Sequence, residues 1–95
     1  MKAIWGRRAK RDLRELVIYI AEDSVQAAEL VAARILRVAE LLGEMPRAGR
    51  PGRVKGTREI VGLRTPYILV YRIATGRVRI LRGYHAARRW PSRFE

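Results

Sequence analysis

Residues Pro66–His85 read PYILVYRIATGRVRILRGYH. Two runs rich in Ile, Val, Leu and Tyr flank Ala74-Thr75-Gly76, a tight-turn signal. The spacing predicts strands over Tyr67–Ile73 and Arg77–Tyr84, paired as a hairpin. In the second strand Val78 and Ile80 point one way and Arg77 and Arg79 the other. One face of the sheet therefore packs against other elements and the opposite face carries cations.

Working outward, Arg58–Leu63 predicts a further strand, joined to the hairpin through Thr65-Pro66. Residues 46–56, PRAGRPGRVKG, hold two prolines and three glycines and cannot continue a helix. Before them, Leu13, Leu16, Val17 and Ile20 fall at i, i+3, i+4 and i+7, the stripe of a helix over 7–22. Asp23 or Ser24 starts a second helix, with Ala27, Val31, Ile35, Val38 and Leu42 on its buried face and Gly43 and Pro46 as its stop. Ala28 and Ala32 permit close approach of a neighbour. So short a link makes the two helices an antiparallel hairpin. Lys2–Trp5 reads as a first strand, and Trp90-Pro91 as part of a short irregular tail anchored by its indole.

Helices and strands thus segregate along the chain. The expected class is α+β: an N-terminal strand and a helical hairpin packed on a small antiparallel sheet. One domain over 1–95 is expected, with the helical hairpin at about 7–43, a basic loop at 46–57, the sheet at 58–85 and the tail at 86–95.

Composition narrows the chemistry. The chain has no cysteine and one histidine, which removes disulfides, thiol nucleophiles and the usual zinc sites. The longest apolar run, Leu16–Ala21, is far short of a membrane span, and the charges over residues 2–15 fit no secretory signal. A cytoplasmic protein is expected. The net charge is +12, unevenly spread: residues 1–45 carry eight basic and seven acidic side chains, residues 46–95 thirteen and two. Almost all the later cations are Arg, whose planar forks match phosphate and carboxylate. A GC-rich genome accounts for Arg over Lys, but not for the loss of acids after Glu44. A polyanionic or acidic partner does.

Glycine-rich phosphate loops, nucleophile elbows and paired carboxylates are all missing. Metal-free phosphodiester chemistry remains open, because RNA brings its own 2′-hydroxyl nucleophile. His85 or Glu59 is the candidate base, His85 or Tyr84 the acid, and Arg64, Arg82 and Arg88 the charge donors, with Tyr71 as proton donor or stacking platform. Equally, His85 suits a strand-end histidine and Tyr67 and Tyr71 suit core packing. No metal or cofactor is expected.

The runs PYILVYRI (Pro66–Ile73), VRILRGYHAARRWP (Val78–Pro91) and PRAGRPGRVKGTREI (Pro46–Ile60), with the helical hairpin before them, resemble the RelE/ParE superfamily of type II toxin–antitoxin toxins. The resemblance covers essentially the whole chain. It implies two helices on a small antiparallel sheet, and a growth-inhibiting toxin neutralised in a hetero-oligomer. The neutralising partner would be an antitoxin with an acidic C-terminal segment, often carrying a ribbon-helix-helix DNA-binding domain. RelE-like and YoeB-like members cleave mRNA on the ribosome, whereas ParE-like members poison DNA gyrase. The RelE-like nucleases typically carry an arginine just after the aromatic residue that opens the middle strand. Here that position is Ile68. Tyr67–Arg72 and His85-Ala86-Ala87-Arg88 match the ParE-like form better, while His85 aligns with the catalytic histidine of the YoeB-like enzymes. The expectation is gyrase inhibition. The alternatives are ribosome-dependent mRNA cleavage through His85, Arg64, Arg88 and Tyr71, or a basic nucleic-acid-binding module without toxicity. Arg58, Arg72, Arg77, Arg79, Arg82 and Arg89 are expected to hold the antitoxin or a nucleic acid.

Overall fold

A computed structural model of the chain describes residues 1–86. The elements are β1 (Lys2–Trp5), α1 (Arg7–Ala21), α2 (Val25–Glu44), β2 (Arg50–Pro51), β3 (Arg58–Val61), β4 (Tyr67–Ala74) and β5 (Arg77–His85). They build a five-stranded sheet in the order β1-β5-β4-β3-β2 with the helical hairpin packed on it. The α+β class is as expected. The sheet itself is mixed: β2 to β5 pair antiparallel, and β1 adds to β5 in parallel, Lys2 opposite Arg77 and Trp5 opposite Ile80. A parallel pair needs a long crossover, which the intervening helices and strands supply.

The hairpin forms as its turn residues dictate, with Gly76 at φ +71°. Its register places Tyr71 opposite Ile80 and Ile73 opposite Val78 on the packed face, and Arg72 opposite Arg79 on the other. Between Val70 and Tyr71 the register shifts at a β-bulge, absorbing Leu81 on the β5 side. Ser24 caps α2, its Oγ accepting the Ala27 N–H at 3.1 Å.

The core joins Ile35, Val38, Ala39 and Leu42 of α2 to Leu69, Tyr71, Val78 and Ile80 of the sheet. The Leu13 and Leu16 stripe packs against it half-buried. One residue departs from the expected α2 face: Ala27 is exposed and Ala28 is buried in its place. The sheet-facing stripe is 28, 35, 39, 42, and Ala27 lies one helical step, about 100°, off it. Within the expected loop, Arg50–Pro51 forms a two-residue edge strand opposite Arg58 and Glu59. Proline is tolerated there because an outer edge needs no ladder N–H. No helix among the described residues is long and apolar enough to cross a membrane.

Candidate functional site

The cationic half of the sequence divides, in three dimensions, into arginines that meet an acceptor within the fold and arginines that meet no carboxylate among the described residues. The first group begins with Arg82. β1 stops at Trp5, where Gly6 N–H still bonds Ile80 O at 2.8 Å before the chain turns into α1. Beyond that point the β5 edge would expose an unpaired amide at Gly83. Asp12 of α1 covers it, its Oδ2 accepting the Gly83 N–H at 2.9 Å. The same carboxylate accepts Arg82 Nε at 2.8 Å and Nη2 at 3.3 Å. Arg82 also lies over the Tyr84 ring, 4.8 Å from its centroid. The bond to Asp12 raises the guanidinium pKa above its ordinary value. Arg82, expected at a binding surface, is committed to this clamp.

A second clamp fastens the basic loop. Glu59, 2% exposed, accepts the Arg53 N–H at 2.7 Å and Arg50 Nη2 at 3.3 Å, with Arg53 Nε at 3.7 Å. The Tyr71 hydroxyl, fully buried, donates to Pro46 O at 2.7 Å and accepts the Gly49 N–H at 2.9 Å. Gly49 is required there, since a Cβ would sit 2.6 Å from the Tyr71 hydroxyl oxygen and 2.5 Å from Glu59 O. Arg58 donates through Nε to Gly49 O at 3.1 Å and through Nη2 to Arg47 O at 3.3 Å. Glu59 and Tyr71, considered above for acid–base roles, thus have their polar atoms engaged in holding the loop. Arg58, expected to face a partner, braces the same loop.

The second group is exposed. Arg72 and Arg79 stand opposite each other on the outer face, and Arg77 continues that row toward the turn. Arg64 sits exposed in the β3–β4 turn at φ +56°, a left-handed backbone uncommon for a residue with a Cβ. His85, exposed at the end of β5, pairs with Tyr67. His85 and Arg64 therefore lie at one end of β4. Tyr71 is four residues along that strand, about 13 Å away at 3.3 Å per residue. Arg88 and Arg89 lie outside the described residues.

Ile68 is 3% exposed, between Val61 of β3 and Tyr84 of β5. The Asp12 clamp was missed in the sequence, although its signal was present: Asp12 interrupts the stripe Ala9, Leu13, Leu16. An acid on a buried helical face calls for a cationic partner.

A family model described as the ParE toxin of the type II toxin–antitoxin system parDE matches residues 3–90. The chain is 47% identical over 87 residues to a putative toxin, Y4kP, of Sinorhizobium fredii, covering 92% of this chain and 90% of that one. It is 38% identical over 87 residues to Toxin RelE2 of Caulobacter vibrioides, covering 92% and 97%. A solved structure of a chromosomal ParDE toxin–antitoxin system from P. aeruginosa superposes with a TM-score of 0.78 at 26% identity, covering 90% of this chain and 95% of that one.

Proposed function

The chain belongs to the ParE toxin family of type II toxin–antitoxin systems, and we propose that it arrests growth in the cytoplasm by binding and inhibiting DNA gyrase. A cognate antitoxin with an acidic C-terminal segment neutralises it in a hetero-oligomer, steered by the net charge of +12. Ile68 carries the gyrase reading. Where a ribosome-dependent nuclease of this superfamily is expected to present a guanidinium, this chain presents a buried alkyl group. Phosphodiester cleavage without a metal needs acid, base and charge donors on one phosphate. Tyr71 and Arg82 are committed elsewhere, to Pro46 and Gly49 and to Asp12. The purified toxin should block gyrase supercoiling or trap a cleaved gyrase–DNA complex, and should leave mRNA intact in a translating extract. Intact supercoiling with toxin-dependent mRNA breaks would reverse the assignment. One observation favours that second reading: Arg64 and His85 are both exposed at the same end of β4.

A further inference from the structure

Positive charge is placed against local energetics twice, and the two placements meet in one groove. Arg72 of β4 and Arg79 of β5 are directly opposed and exposed. Like charges facing each other across a ladder destabilise the pair of strands. Arg7 and Arg8 open α1, whose N-cap is Gly6, with no side-chain cap and no acid in the first turn. The amino end of a helix carries partial positive charge, so cations there also cost stability. These four arginines line an open groove with Gly6 and Leu81. Among the described residues none of the four guanidiniums meets a carboxylate, whereas Arg50, Arg53 and Arg82 all do.

We infer that this groove binds the phosphodiester backbone of a nucleic acid, through Arg7, Arg8, Arg72 and Arg79. Four planar forks around one groove suit phosphate oxygens, which they engage bidentately. An acidic peptide fits less well. Such a peptide gains most of its affinity from apolar anchors, and Leu81 is the one apolar side chain lining the groove beyond the arginine stems. The inference is independent of which target the toxin inhibits: the groove shares no residue with the Arg64 and His85 end of the sheet.

The test uses the full-length toxin and a labelled mixed-sequence duplex of about 20 base pairs, followed by anisotropy between about 50 and 200 mM salt. The wild type should bind with a steep salt dependence. Arg72→Gln/Arg79→Gln should flatten the slope of log K against log salt by about 2 and weaken binding by at least about tenfold at the low-salt end. The same variant should melt no lower than wild type, because it relieves a like-charge contact, so lost binding is not lost folding. Arg34→Gln/Arg37→Gln removes the same charge from α2 and should leave the slope unchanged. Single-stranded RNA of equal length, bound through the same pair, would support the phosphodiester assignment, and the ratio of the two affinities would name the source. Equal losses from both double variants would overturn the inference, as would polyglutamate binding tighter than either nucleic acid and lost with the Arg72/Arg79 pair.

Discussion

Asp12 of α1 and Arg82 of β5, 70 residues apart in sequence, meet as a two-pronged ion pair, Oδ2 to Nε at 2.8 Å and Oδ1 to Nη2 at 3.3 Å. The contact fixes the first helix to the last strand just where β1 ends and the sheet edge would open. An apolar helix face would cover that edge, but a side chain with an acceptor oxygen, here the Asp12 carboxylate, is needed to satisfy the Gly83 amide that β1 leaves behind. Acids are scarce next to arginines in this chain, and the two most buried among the described residues, Asp12 and Glu59, each hold an arginine and a backbone amide together.

Asp12→Ala should therefore destabilise the fold by about 2–3 kcal/mol, since it strands a charged donor and a backbone amide at once. The figure is below that for a fully buried pair because Arg82 keeps 21% of its side chain in water. Urea unfolding of Asp12→Ala, Arg82→Met and the double variant checks this. The double variant should lose less than the sum of the singles, and strict additivity would show that the pair is not coupled.

Tyr71→Phe removes the hydroxyl that bonds Pro46 O and Gly49 N–H. A loss of about 1–3 kcal/mol is expected, read as a lower melting temperature. Growth inhibition should persist at temperatures where the variant stays folded. A folded Tyr71→Phe protein with no toxicity would mean the hydroxyl acts in function after all.

His85→Ala separates the two targets. Removing a general acid or base costs about 10²–10⁴-fold in rate, so a nuclease would be nearly silenced. Under the gyrase reading the variant should keep its supercoiling inhibition and its toxicity. Parallel assays of the variant and wild type on gyrase and in a translating extract decide the matter.

Ile35→Ala, at a site with no exposed surface between α2 and the sheet, should cost about 2–5 kcal/mol through the cavity it leaves. Leu16→Ala should cost less, because Leu16 is half-buried and its neighbours can relax toward solvent. Equal costs in thermal melts would contradict the order of burial.

Much of the architecture was legible because it rests on local signals. Val78 and Ile80 alternate with Arg77 and Arg79 as a half-buried strand must, Gly76 marks the turn, and Ser24 starts α2 as a capping residue does. On α2, Ile35, Val38 and Leu42 are buried as the spacing predicts, and only Ala27 departs, with Ala28 buried in its place. Small residues give no sharp hydrophobic period, and only the neighbouring sheet decides which alanine goes in. The parallel seat of β1 was not legible either: four residues can pair with either edge and in either direction until the helices have turned the chain.

The sequence by itself determined the type of every described element except the two-residue β2, the helical hairpin, the antiparallel β4–β5 pairing and the concentration of cations after residue 45, since each follows from residue spacing or count over short stretches. Only the tertiary structure decided which of those cations are available. Arg58 and Arg82 are absorbed by the loop carbonyls and by Asp12, Arg50 and Arg53 share Glu59 while keeping 63% and 45% of their side chains in water, and Arg7 and Arg8, from the electrically balanced half, join Arg72 and Arg79 in one groove. An arginine reads the same in sequence whether it braces a loop or faces water. The difference is whether folding brings an acceptor within about 3 Å of its fork, and that is a property of contacts between distant segments.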